Sequence, residues 1–162
     1  MFLVAGALAA AGCATSGAVP KPFPGAIEPP PASGSAGAGR LAPEALVRTA
    51  LSLRGAPYRD GGSDPGGFDC SGFVQYVFAH HGVALPREVR DQYPLGRRRK
   101  LSEASAGDLI FFTTVARGVS HVGVMVGGDA FVHAPSTEGV VRVEHYRSAY
   151  WARRVVAVKR VP

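Results

Sequence analysis

The stretch H-V-G-V-M-V-G-G-D-A-F-V-H occupies residues 121–133. Apolar and small residues run up to Gly127-Gly128-Asp129 and resume after it, which is the signature of two strands around a tight turn. With those three residues as the loop, Val126 pairs with Ala130 and the register is fixed from there. Gly123 then faces His133, and all odd-numbered positions of the hairpin share one side of the sheet. His121 and His133 become diagonal neighbours, with Cβ atoms roughly 7–8 Å apart or a little less, near enough for one imidazole to orient the other. A plain two-residue loop would put the two histidines on opposite faces.

Outward from the hairpin the strand pattern continues. Leu109–Thr113 precedes it, and Val140–Glu144 and Arg154–Arg160 follow; together with His121–Val126 and Ala130–Ala134 they are rich in Val and Phe and separated by Gly, Ser, Pro and Asp. Toward the N-terminus the period changes. Pro43-Glu44 suits the first turn of a helix whose apolar face is Leu46, Val47, Ala50 and Leu51, with Gly55 after it. A Gly-rich loop, Tyr58 to Phe68, leads to a second helix from Cys70 to about His81. Asp69 is its expected N-cap, Phe73, Val74, Val77 and Phe78 form its buried stripe, and His80 and His81 suit its negative end. Helices first and strands later predict an α+β fold, with N-terminal helices packed on a mostly antiparallel sheet of five to six strands.

Cys70 falls in the first turn of the second helix, where unpaired N–H groups and the helix dipole favour a thiolate. A nucleophile needs a base, and the base needs an orienter. Cys70, His121 and His133 supply those three roles, with a thiolate–imidazolium pair between the first two. The same three side chains could instead hold zinc with an open fourth position, although the short spacings of compact zinc sites are missing. Trp151, Tyr146 and Tyr150 read as a core or rim cluster.

The 162 residues carry 46% hydrophobic and 9% aromatic side chains, enough for a core, and no apolar run reaches the ~20 residues of a membrane-spanning helix. Eighteen Lys and Arg oppose 12 Asp and Glu, a formal charge of +6 that favours anionic partners without choosing among them. Residues 1–13 are apolar and small and end A-A-G-C at Cys13, resembling the lipobox of bacterial lipoproteins, in which that Cys takes a lipid. Residues 14–40 include six Pro and five Gly and show no periodicity, so they read as a flexible tether. Residues 41–162 are the globular domain. The expectation is an exported chain anchored to the membrane through Cys13. Ala14 lacks the acidic character that retains lipoproteins in an inner membrane, which favours an outer membrane facing the periplasm. An exported chain rarely meets nucleic acid, so the basic run Arg97–Lys100 is not read as a nucleic-acid site.

Six ordered segments resemble the NlpC family of bacterial cell-wall cysteine peptidases, compact relatives of the papain fold. They are G-A-P-Y-R-D-G-G (55–62), F-D-C-S-G-F-V (68–74), L-P-R (85–87), A-G-D-L-I-F-F (106–112), S-H-V-G-V-M-V-G (120–127) and F-V-H-A (131–134). The resemblance implies a peptidoglycan endopeptidase with Cys70 as nucleophile, His121 as base and His133 as the third residue. It implies that Tyr58 and the Cys70 N–H hold the oxyanion, that Asp69 and Ser71 line the acceptor pocket, and that no metal or other cofactor takes part. Stem peptides of the wall would be the substrate, with Arg87, Arg90 and the Arg97–Lys100 run drawn to their carboxylates. A catalytically silent wall-binding lipoprotein on the same scaffold is the competing reading.

Overall fold

Val- and Phe-rich segments after Asp108 build a single antiparallel sheet. A computed structural model describes residues 41–115 and 117–162; Cys13 and the expected signal and tether lie outside the described residues. In chain order the elements are α1 (Pro43–Ser52), β1 (Ser63–Asp64), β2 (Gly67–Phe68), α2 (Cys70–Ala79), α3 (Val89–Gln92), β3 (Arg97–Arg99), β4 (Leu109–Phe112), β5 (His121–Gly127), β6 (Ala130–His133), β7 (Arg142–His145), α4 (Ala149–Ala152) and β8 (Val155–Arg160). Strands β3 to β8 form a six-stranded sheet in the order β3-β8-β4-β5-β6-β7, and β1 and β2 form a separate two-stranded ribbon. The α+β architecture expected from the sequence is the one observed.

Alternation along β4 explains how the sheet is covered on both faces. Leu109 and Phe111 point toward the helices and join Phe73, Val74, Val77 and Phe78 of α2 and Leu46 and Ala50 of α1. Ile110 and Phe112 point the other way, to a second cluster with Met125, Phe131, Tyr146, Trp151 and Val158. Trp151 and Tyr146 are therefore core residues, whereas Tyr150 is exposed at the rim.

Three local outcomes differ from the sequence reading. The β5–β6 loop is the two residues Gly128-Asp129, because Gly127 pairs with Ala130. Val126 is bulged out, and this extra residue restores the expected pairing further along, with Met125 opposite Phe131 and Val124 opposite Val132. The histidines thus share a face by means of a bulge rather than a three-residue loop. Second, Arg97–Arg99 forms the edge strand β3 against β8. Strands β8 and β4 separate it from β5, and Arg99 and Lys100 turn to Glu103. Third, His81 does not cap a helix as a cation: its Nε2 lies 2.9 Å from the Thr49 hydroxyl on α1, and burial lowers its pKa.

The two ends of the described fold come together. Leu41 and Pro43 line one cavity with Val161 and Pro162, between Gly107 and Asp108. The buried Asp108 carboxylate there accepts two hydrogen bonds from Arg160, at 2.7 and 2.9 Å, and one from the Ser105 N–H.

Candidate active site

Cys70 begins α2 because Asp69 stops the chain there. Asp69 is extended, and its Oδ1 accepts the Gly72 N–H at 2.7 Å, satisfying one free donor of the first turn. Gly72 lets the helix start press against the Gly-rich loop, since a Cβ at this position would lie 2.0 Å from the Gly62 carbonyl oxygen. The helix N-terminus is thereby held against the chain that carries Tyr58.

Beside Cys70 stands an ionic cluster. The Arg87 guanidinium forks onto both oxygens of Asp69 and also donates to the Ser71 hydroxyl at 2.9 Å. The Ser71 hydroxyl in turn donates to Asp69 Oδ1 at 3.3 Å. The three predicted substrate-contacting residues, Asp69, Ser71 and Arg87, therefore form one connected group. Sequence reasoning missed Gln92, which is fully buried beneath them and donates to the Ser71 carbonyl at 3.0 Å and the Pro86 carbonyl at 2.8 Å. It ties the L-P-R segment to the start of α2.

The histidines lie on the sheet face that carries Phe112 and Phe131. His121 Nε2 and His133 Nδ1 lie 2.7 Å apart, with the rings at 88° to each other. Gly123 makes this approach possible: it stands between them on that face, and a Cβ there would come within 2.8 Å of the Phe131 ring and 3.2 Å of His133 Cβ. Trp151 stacks on His121, its ring centroid 5.5 Å away and tilted by 24°, and meets His133 edge-on at 5.1 Å. A shared zinc would require both ring nitrogens to point at one ion roughly 2 Å from each. At 2.7 Å these two nitrogens instead point at each other.

Electrostatics depart from the sequence expectation at the thiol. Burial pushes the Cys70 thiol up to about 11, and the Asp69 carboxylate adds to the rise. Backbone N–H groups of Val122, Ser71 and Cys70 itself act in the opposite direction without overcoming it. Val122 follows His121 on β5, so the sulfur lies beside the start of that strand. Burial pushes His121 down to about 4 and lowers His133 as well, the latter also through the neighbouring His121 and Arg142. Burial thus acts against both the thiolate and the imidazolium forms, opposing the helix dipole that favours the thiolate. No hydrogen bond joins Cys70 to His121 among the described residues. The Tyr58 hydroxyl is half-buried and feels both Cys70 and Asp69, whose charges raise its pKa after burial and Asp60 have done so.

A second residue that the sequence reading missed stands behind His133. One Glu144 oxygen lies 3.5 Å from His133 Nε2 and also accepts the Trp151 Nε1–H; the other lies 3.3 Å from Arg142 Nε.

Comparison with known proteins places this arrangement. The NlpC/P60 family pattern matches residues 55–160. The chain is 37% identical over 121 residues to the bifunctional muramidase/DL-endopeptidase CwlT of Bacillus subtilis, a match covering 73% of this chain and 36% of that protein. It is 38% identical over 109 residues to the murein DD-endopeptidase MepS/murein LD-carboxypeptidase of Escherichia coli, covering 67% of this chain and 57% of the other. A solved Staphylococcus aureus structure, described as similar to an NLP/P60-family lipoprotein, superposes with a TM-score of 0.65 at 36% identity, covering 72% of this chain and 40% of that one. The chain thus spans between about a third and three fifths of the length of these proteins.

Proposed function

The chain belongs to the NlpC/P60 family, and from that membership we propose that it is an exported peptidoglycan endopeptidase working through Cys70. The observation that carries the reading is the coupled His121–His133 pair, 2.7 Å apart on adjacent strands β5 and β6, together with a helix-initial cysteine. Relatives described as DL-endopeptidase and DD-endopeptidase support wall stem peptides or their cross-links as the substrate class.

Because burial disfavours the free thiolate, the thiol proton moves as the substrate arrives. Sγ of Cys70 attacks the amide carbonyl while the His121 nitrogen that does not face His133 takes the thiol proton. The tetrahedral oxyanion is held by the Cys70 N–H and the Tyr58 hydroxyl. His121 returns the proton to the leaving amine, giving a thioester on Cys70. Water, deprotonated by the same imidazole, then releases the acid. His133 fixes the orientation of His121 throughout. Asp69, Ser71 and Arg87 contact the polar ends of the stem peptide, Asp69 an amine and Arg87 a carboxylate. Residues 1–13 direct export, Cys13 carries the lipid anchor, and residues 14–40 tether the domain of residues 41–162 to the membrane, an outer membrane where the cell has one.

The test is digestion of purified wall material. Wild-type protein should release peptide fragments whose masses identify the bond cut, and Cys70→Ser should release none while keeping its melting temperature, because a hydroxyl is far harder to deprotonate. Digestion by Cys70→Ser at the wild-type rate would refute Cys70 as nucleophile. Wall binding without any cleavage by wild type would favour the silent scaffold. Membrane fractionation of Cys13→Ala tests the anchor, and an unchanged membrane fraction would refute it.

A further inference from the structure

Three neighbouring strands place three polar side chains in a diagonal row. His133 on β6 is opposite Arg142 on β7, and Phe131 is opposite Glu144. Glu144 is therefore displaced by two residues from the position facing His133. On β5 the position facing His133 is Gly123, and His121 is displaced from it by two residues in the other direction. Because β5 and β7 run the same way, His121 and Glu144 lie on opposite sides of His133 along the strands. All three share the face covered by Trp151.

The row has a chemical consequence, because the polarity at one end decides the polarity at the other. His133 is fully buried, and its Nε2 has no hydrogen-bond partner at normal distance. Among the described residues, the one charged group within ion-pair distance of that nitrogen is the Glu144 carboxylate, at 3.5 Å. A carboxylate there favours N–H over a lone pair on Nε2. In a neutral imidazole that leaves Nδ1 as acceptor. The 2.7 Å contact must then run from His121 Nε2–H to His133 Nδ1. His121 Nδ1 is left bare, and a bare nitrogen is what a base for the thiol requires. With the opposite order, His133 Nδ1–H would donate to His121 Nε2, and the outward nitrogen of His121 would already carry its proton.

We infer that Glu144 is a positioning residue that sets the tautomers of His133 and His121, so that His121 presents an unprotonated nitrogen to Cys70. Its two oxygens are themselves held, one by the Trp151 indole N–H and the other by Arg142. The same indole stacks on His121, so one side chain fixes both ends of the row. The assignment rests on the peptidase reading for its catalytic meaning, but not for its structural content.

The experiment uses the purified full-length protein labelled with 15N-histidine, with long-range 1H–15N spectra near pH 7.5 to report the tautomer of each imidazole. In wild type, His133 and His121 should both carry the proton on Nε2. In Glu144→Ala a substantial Nδ1–H population should appear at His133, and kcat on wall peptide should fall about 10-fold with KM nearly unchanged. Glu144→Gln should restore most of both, since an amide oxygen also accepts from Nε2–H. A purely structural role would lower the melting temperature of the Ala variant without moving the tautomers. An Nδ1–H form of His133 in wild type overturns the inference with no variant needed. Unchanged tautomers in Glu144→Ala overturn it as well, and so does a tautomer shift that leaves kcat untouched. If wild type cleaves nothing, the peptidase reading fails while the spectra still decide whether Glu144 sets the row.

Discussion

Two walls of the candidate site solve opposite problems. The ionic wall, Asp69, Ser71 and Arg87, keeps its charges because the side chains stay partly in water, 14% exposed for Asp69 and 31% for Arg87, and because each charge meets its opposite. The aromatic wall, His121, His133, Phe112, Phe131 and Trp151, is nearly dry and keeps its titratable groups neutral. A neutral, dry imidazole pair suits the movement of a proton. A half-wet, fully paired ion cluster suits the recognition of a charged ligand. On the proposed reading, the site separates chemistry from recognition by depth of burial.

The sharpest way to break this contrast is at His133. On the proposed mechanism, His133→Ala should lower kcat by on the order of 10³-fold with KM little changed, because His121 would lose its direction while Cys70 and the ionic wall remain. His133→Asn or His133→Gln should recover part of the loss. Steady-state kinetics on a soluble stem peptide would check this, and a rise in KM at constant kcat would assign His133 to recognition.

The complementary change is Asp69→Asn on the ionic wall. Asn still caps α2, but it leaves Arg87 without its counter-charge. KM should rise about tenfold, with a stability loss of about 1–3 kcal/mol. The same change removes a carboxylate that raises the Cys70 pKa, so iodoacetamide should alkylate the thiol faster at pH 8.5 than in wild type. A fall in kcat with unchanged KM would blur the division between the walls.

A further effect is on stability against pH, and it belongs to the aromatic wall. His121 ionises at about 4 in the fold but near 6.5 in the unfolded chain. The unfolded state then binds the extra proton between these values, so stability is complete above 6.5 and declines on acidification until about 4. The loss from His121 alone is about 3 kcal/mol. His133 and His81 are also depressed and act in the same direction. Urea midpoints at pH 7.5, 5.5 and 4.5 should fall in that order. His133→Asn should flatten the slope more than His81→Asn does.

Elements built by alternating Val and Phe were legible in the sequence: β4, β5, β6 and β8 lie within a residue or two of their expected bounds. So was the start of α2, because Asp69 is a residue type that caps helices. β3 was not, since Arg97–Arg99 has no strand preference; it is a strand because β8 offers an unpaired edge, and Glu103 and Asp108 neutralise part of the charge gathered there. The pairing of His121 with His133 was legible in register, although its cause was not, because two residues in the turn with one bulged count the same as three in the turn. Glu144 escaped notice since finding it requires two successive registers, each correct to one residue. The rise that burial gives the Cys70 pKa escaped because the helix dipole can be read from a sequence and depth of burial cannot.

The meeting of Leu41 and Pro162 at one cavity, beside the Asp108–Arg160 clamp, bears on how such a domain travels between proteins. Entry and exit points that line one cavity suit the unit to being spliced onto another chain as a cassette. They also make its linear order arbitrary. A short Gly/Ser bridge from Pro162 to Leu41, with new termini opened at the exposed Val115 between β4 and β5, would leave both walls and the Cys70 sulfur where they are.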